Sequence, residues 1–299
     1  MATAKVWVAE TRPQFLLLTP VCVFAGIAAS IYDGNPFNGL YFALSFIGAL
    51  CAHIAVNVLN DYFDYRSGVD LKTVRTPFSG GSGILPSAAM RPNEVLALGL
   101  GSLAVVIGIG IYFITVYGAA ILPLGLAGVL FASLYTPLIT RLPAASEFAA
   151  GGFALMILGT YFTQAGTYSA AAAVSTILGW LLIANLLLLN EVPDAEADRM
   201  GGRRHLPILI GPRGAVIVYS GIVIASYGAI VGGVVTGALP VLALLGLLTL
   251  PFGIKAITGA LKSYANIEKL IPALGANIIV VLATPLLMAA GVMIWVCID

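Results

Sequence analysis

The chain has 299 residues, 60% of them hydrophobic and only 9% charged, with a formal net charge of +1 and a mean hydropathy of +1.03. An average soluble domain carries roughly 25% charged residues, so a water-soluble globule is excluded and an integral membrane protein is expected. The near-zero net charge suggests no affinity for a nucleic acid partner, and Cys22, Cys51 and Cys297 sit in apolar runs without metal-ligand spacing.

A bilayer crossing needs about 20 predominantly apolar residues. Runs of that kind fall at 15–32, 40–60, 95–116, 119–136, 148–164, 170–190, 215–235, 238–257 and 271–297. They predict an all-α polytopic fold of nine transmembrane helices, the fifth being short. The first run lacks a small-residue cleavage site, so it is expected to remain as a helix and not to be removed as a signal peptide.

Charge tests the count independently. Lys5 and Arg12 precede the first helix, and Arg66, Lys72, Arg75 and Arg91 lie between the second and third. Arg141 lies between the fourth and fifth, and Arg199, Arg203, Arg204 and Arg213 between the sixth and seventh. Lys255, Lys262 and Lys269 complete the set between the eighth and ninth. Every Lys and Arg therefore falls in alternate connections, and cytoplasmic connections are the ones that collect them. The expected topology has a cytoplasmic amino terminus and Asp299 outside.

The two long polar connections, 61–94 and 190–214, lie on that cytoplasmic side. Each follows an even-numbered helix that ends in Asn-x-x-x-Asp. In the first, "NVLNDYFD", Asn57, Asp61 and Asp64 are spaced i, i+4 and i+7 with Asn60 beside them; in the second, Asn190, Asp194 and Asp198 are spaced i, i+4 and i+8 with Glu191 nearby. Such spacing puts the side chains on one helix face. Pro193 falls inside the second pattern, where a missing backbone donor predicts a bend or a restart. The recurrence divides the single domain, 1–299, into two four-helix units plus a ninth helix, a weak internal repeat of the sort that places a binding site between halves.

Like charges one helical turn apart repel, and carboxylates beside hydrocarbon need neutralising, so a cation is expected. Oxygen ligands of this kind suit Mg²⁺, which takes one or two carboxylates, waters and the oxygens of a substrate phosphate. Two facing clusters would hold two ions with a diphosphate between them. The metal candidates are Asp61, Asp64, Asp194 and Asp198, with Asn57, Asn60 and Asn190 as polar companions.

The segments "NDYFDYRSGVD" and "NEVPDAEADRMGGRRHLP", together with "RPQFLLLTP" at the start, resemble the signature loops and first helix of the UbiA superfamily of intramembrane prenyltransferases, and the resemblance covers nearly the whole chain. It implies nine helices around a central cavity in which two Asp-rich motifs bind Mg²⁺ and an isoprenyl diphosphate. Asn57, Asn60, Asp61 and Asp64 match the first motif, and Asp194 and Asp198 the second. The pattern departs from the 4-hydroxybenzoate branch, since Gly68 stands four residues after Asp64 and the next carboxylate is Asp70. "DYRSGVD" followed by "RTPFSGGSGILP" resembles the branch that prenylates 1,4-dihydroxy-2-naphthoate for menaquinone. The same resemblance implies that Tyr135 and Glu147 line the acceptor pocket, with Arg141 as a further substrate-binding candidate between them.

Gly80, Gly81 and Gly83 with Ser79 and Ser82 form a loop whose amides can cradle an anion, with Lys72 and Arg75 adding charge. One of Arg203 and Arg204 is expected to do the same in the second loop. His205 has no visible partner, and His53 is expected to make an interhelical hydrogen bond. The expected reaction is loss of diphosphate from an allylic carbon, followed by attack of a phenol or naphthol ring. Asp61, Asp64 and Asp198 are its catalytic carboxylates, and Asp64 is the candidate to hold or deprotonate the acceptor hydroxyl. Alternatives are a different aromatic acceptor and, from another class, a divalent-cation transporter. A transporter would place its acids near mid-span, whereas these cluster at helix ends. A CDP-alcohol phosphotransferase would carry Asp-Gly-x-x-Ala-Arg, which is missing.

Overall fold

A computed structural model of the protein describes residues 2–70 and 81–298, and among these every regular element is a helix. A short helix, α1 (Ala4–Glu10), precedes α2 (Leu18–Tyr32), α3 (Gly39–Ser67), α4 (Pro92–Tyr117) and α5 (Leu122–Leu134). Then come α6 (Ala145–Gly151), α7 (Leu155–Ala165), α8 (Ala170–Met200), α9 (Leu206–Val235), α10 (Leu250–Ser263) and α11 (Ile267–Ile298). Seven helical stretches are long and apolar enough to cross a membrane, and α2 is a shorter apolar helix. Large apolar side chains face outward along most of them, such as Ile111 on α4, Leu126 on α5, Ile224 on α9 and Ile254 on α10. That pattern fits a multi-pass protein whose solvent is hydrocarbon.

Helices in lipid associate through close packing and internal hydrogen bonds. Ala25, Ala28 and Ala29 of α2 pack into the main core with Ile157 and Tyr161 of α7, and a Cβ added at Gly26 would lie 2.5 Å from the Ile157 carbonyl oxygen. Farther round, the amide of Asn185 on α8 donates to the Tyr219 carbonyl of α9 at 3.2 Å, and the Tyr219 hydroxyl donates to Asn277 of α11 at 3.0 Å. These bonds fix α8, α9 and α11 against one another around the core that carries the second acidic motif.

The polar connections contain more helix than the hydropathy pattern indicates. "NVLNDYFD" lies wholly on α3, which continues to Ser67 and stops at Gly68 (φ 77°), where the Val69 amide returns to the Asp64 carbonyl at 3.0 Å. The second motif likewise lies on α8. The helix runs through Pro193 to Met200 without the expected restart, because only the Leu189 carbonyl loses its partner to the missing proline amide. The chain then turns sharply at Gly201 and Gly202, where Gly202 has φ 80° and the Arg203 amide bonds the Asp198 carbonyl at 3.0 Å. Such a φ is cheap only for glycine. In α9 the first turn, from Leu206, is offset from the rest by a non-helical Gly211 followed by Pro212.

Candidate active site

The last turns of α3 and α8 end side by side, and the turn after α8 supplies the cation between them. Nη1 of Arg203 donates to Asp198 Oδ1 at 2.8 Å, and Nη2 contacts Asp64 Oδ1. One guanidinium thus joins the two acidic motifs across 139 residues of sequence. Burial by itself would lower the Arg203 pKa, but the charges of Asp64 and Asp198 and the hydrogen bond to Asp64 outweigh it, raising the pKa above the ordinary arginine value. His205, fully buried, donates from Nε2 to the other oxygen of Asp198 at 2.7 Å. The partner that the sequence did not reveal is therefore Asp198, brought within reach by the glycine turn.

Asp61 belongs to a second cluster. It pairs with Arg12 and accepts the Ser82 amide at 2.9 Å, while the Ser82 hydroxyl donates to Glu10 Oε2 at 2.9 Å. Glu10 is fully buried at the end of α1. Burial raises its pKa to about 7 from an ordinary 4.5, against the lowering effects of the Ser82 hydrogen bond and Arg12, with Asp70 adding to the rise. A carboxyl with a raised folded pKa contributes stability that is complete below about pH 4.5 and vanishes as pH climbs through about 7. Amide exchange in residues 4–12 is therefore expected to quicken, beyond its intrinsic rate, between pH 5 and 8, and Glu10→Gln should remove that excess. Identical exchange profiles for the two proteins would show that this carboxyl does not govern the docking of α1.

Between these clusters lies a cavity of about 440 Å³. It is lined by Asn57, Asn60, Asp64 and Asp70 on one side and by Asn190, Glu191, Asp194, Asp198 and Arg203 on the other. Asn57 also donates to the Thr11 carbonyl at 3.0 Å and Asn60 to the Thr136 hydroxyl at 3.0 Å, which orients both amides. Gly81 lies against Asp70, its missing Cβ 3.0 Å from the carboxylate oxygens. His53 also lines this cavity and bonds Thr19 of α2 at 3.0 Å, the interhelical role expected for it.

An apolar chamber of about 480 Å³ adjoins it between α3, α4, α5 and α7. Val56, Phe153 and Tyr135 belong to the walls of both spaces. Burial, together with the Glu191 charge, holds the Tyr135 phenol well above its usual pKa, although Arg203 opposes the shift, so the group stays a proton donor.

Other candidates lie elsewhere. Arg141 lines a neighbouring cavity of about 420 Å³ with Arg66, across Asp64 and Arg203 from the first. Arg204 is exposed and takes part through its backbone, its amide bonding the Thr140 carbonyl and its carbonyl accepting from Ala144. Glu147 is buried outside the cavity wall, Asp61 sits behind it, and Lys72 and Arg75 lie outside the described residues. Among the described residues no three His, Cys, Asp or Glu side chains converge tightly enough to hold a metal unaided. Asp64 and Asp198 do converge on one positive charge, that of Arg203.

A model of the UbiA prenyltransferase family matches residues 19–278. The chain belongs to that family. As a UbiA prenyltransferase it is an enzyme of prenyl transfer, and its relatives agree. It is 28% identical to a 1,4-dihydroxy-2-naphthoate octaprenyltransferase of Bacillus subtilis over 85% of this chain and 81% of that protein. With the protein of the same description from Haemophilus influenzae the identity is 25% over 69% and 70%. Two solved structures share the fold. A UbiA homologue from Aeropyrum pernix superposes with TM-score 0.68 at 18% identity, covering 94% of this chain and 98% of that one. One from Archaeoglobus fulgidus, bound to DMAPP and Mg²⁺, superposes with TM-score 0.65 at 14% identity, covering 96% and 98%.

Proposed function

We propose that this prenyltransferase moves a polyprenyl group from an isoprenyl diphosphate to 1,4-dihydroxy-2-naphthoate, a step of menaquinone biosynthesis. The observation that carries the reading is the convergence of Asp64 and Asp198, one from each motif, on Arg203 at the wall of a cavity that shares wall residues with an apolar chamber. The naphthoate octaprenyltransferases among the relatives support the acceptor, and the Archaeoglobus complex supports an isoprenyl diphosphate with Mg²⁺.

Asp64, Asp194 and Asp198 would hold Mg²⁺ jointly with diphosphate oxygens, with Asp61 supporting them from behind the wall through Arg12 and Ser82, and the ion supplies positive charge to the leaving group as the allylic C–O bond breaks. Arg203 adds a fixed cation at the same place, where water is scarce and such charge counts most. Asn57, Asn60, Asn190 and Asp70 orient the polar head. The prenyl chain runs past Tyr135 into the apolar chamber, whose walls keep water from the electron-poor carbon. The acceptor ring then attacks that carbon, and loss of a proton, or of carbon dioxide where the attacked carbon bears a carboxylate, restores aromaticity.

The topology belongs to the same reading. The stretch Pro92–Leu134 is 43 residues long, about 64 Å as a continuous helix at 1.5 Å per residue, twice the hydrocarbon thickness of roughly 30 Å. It therefore counts as two spans, α4 and α5. With α2 the total is nine in one domain, the amino terminus and the active site facing the cytoplasm, as in a prokaryotic inner membrane.

Purified protein in detergent with Mg²⁺ and labelled polyprenyl diphosphate is expected to alkylate 1,4-dihydroxy-2-naphthoate in preference to 4-hydroxybenzoate. Alkylation of 4-hydroxybenzoate alone would overturn the acceptor assignment. Folded protein that alkylates no acceptor and binds no diphosphate would overturn the donor chemistry.

A further inference from the structure

One carboxyl in the cavity wall is not explained by the diphosphate site. Glu191 is buried at 7% exposure, lines the cavity, and has an oxygen, Oε2, that no donor of the described protein reaches. Of the acidic side chains lining that cavity it alone has an oxygen so placed among the described residues. Its neighbour is Glu147, with which it forms a hydrogen-bonded carboxyl pair.

Two carboxyls can hydrogen-bond only if a proton lies between them. Glu147 is already served by donors: its Oε1 accepts the Leu206 amide at 2.5 Å and its Oε2 the Ser146 hydroxyl at 3.0 Å. Glu147 is thus set up as the acceptor of the pair and Glu191 as the donor. With Glu191 donating to Glu147, its Oε2, buried in the cavity wall, has acceptor capacity that no donor among the described residues fills. A buried polar atom of this kind costs free energy until something donates to it.

Position along α8 narrows what the donor is. Glu191 lies three residues before Asp194, about 4.5 Å farther from the motif end of the helix at 1.5 Å per residue. It lies near Tyr135, whose phenol feels its charge, at the seam with the apolar chamber. A diphosphate has no hydrogen to donate when ionised. A ring hydroxyl does, and a flat aromatic ring suits walls made by Phe153, Leu187 and Val281.

We propose that Glu191, held by Glu147, receives the hydroxyl of the aromatic acceptor and makes the enzyme select hydroxyl-bearing rings. The inference rests on the transferase reading above and adds the residue that recognises its second substrate. Glu191 would touch that substrate, whereas Glu147 is a positioning residue, fixed in turn by Ser146 and the first amide of α9.

The test compares 1,4-dihydroxy-2-naphthoate with its mono-O-methyl ethers on the wild type, Glu191→Met and Glu191→Gln, reading KM and kcat separately and Mg²⁺-dependent binding of prenyl diphosphate alongside. Glutamine keeps the geometry, since its NH₂ donates to Glu147 and its carbonyl faces the cavity, whereas methionine offers neither. The wild type should prefer the free hydroxyl over one of its ethers by about tenfold or more, as a site built to bond a hydroxyl does. Glu191→Met should raise the acceptor KM by about tenfold, the scale of one lost hydrogen bond, and erase that preference, while diphosphate binding persists. Glu191→Gln should restore the preference.

An unaltered preference in Glu191→Met would overturn the assignment, as would a Glu191→Gln enzyme that fails to recover it. A wild type that binds neither the dihydroxynaphthoate nor 4-hydroxybenzoate would overturn it too. In that case retained diphosphate binding would leave the donor half of the reaction standing.

Discussion

Arg203→Met is expected to destabilise the folded enzyme in detergent by about 3–5 kcal/mol, the usual cost of removing one partner from a buried ion pair. It should also make the unfolding temperature rise with added Mg²⁺. Both effects follow from the same geometry. Arg203 is the charge that Asp64 and Asp198 share, and its side chain is only 16% exposed against 9% and 3% for the two carboxylates. With a thioether in its place the two acids face each other in a poorly solvated spot and attract a divalent ion, which stabilises the fold by mass action. Wild-type protein, already neutralised there, should respond weakly to Mg²⁺ in the absence of diphosphate. Thermal melts over a rising series of Mg²⁺ concentrations decide the matter. Equal stability of variant and wild type, with no metal response in either, would mean that the bridge carries little energy.

Asp194→Ala should lower turnover by about a thousandfold or more while leaving the protein folded in the membrane. Its side chain lines the cavity directly, and groups aimed at charge that develops in the transition state contribute on that scale. Asp61→Ala should be equally inactive and less stable, because Arg12 and the Ser82 amide lose their acceptor together. Initial rates at saturating diphosphate, with circular dichroism and melting as controls for folding, separate the two variants. A folded Asp194→Ala enzyme with near-normal rates would remove this carboxylate from the catalytic apparatus.

What could be read in the sequence was what depends on short spacing. Asn57, Asp61 and Asp64 share a helix face by arithmetic alone, and so do Asn190, Asp194 and Asp198, so the acidic motifs were visible without coordinates. Hydropathy likewise located the helices, although it ended them early. Charged residues stop an apolar run without stopping a helix, and α3 and α8 carry the motifs on their own last turns.

Long-range pairings were hidden. Nothing local distinguishes Arg203 from Arg204. The choice is made by the glycine turn that points one guanidinium at Asp198 and turns the other outward. His205 was unpartnered in one dimension because its acceptor is seven residues back round that turn. Glu10 drew no attention, since an acid ahead of the first apolar run looks like an ordinary surface charge. Its burial depends on a serine 72 residues away.

The fastening of α1 has a practical side. Its last residue, Glu10, reaches Ser82, and Ser82 in turn orients Asp61, so the opening segment acts as a strut for the chemistry. A purification tag or fluorescent fusion at that end would load the strut mechanically. Preparations labelled there should lose specific activity relative to ones labelled at the opposite end of the polypeptide, even when yield and monodispersity look the same.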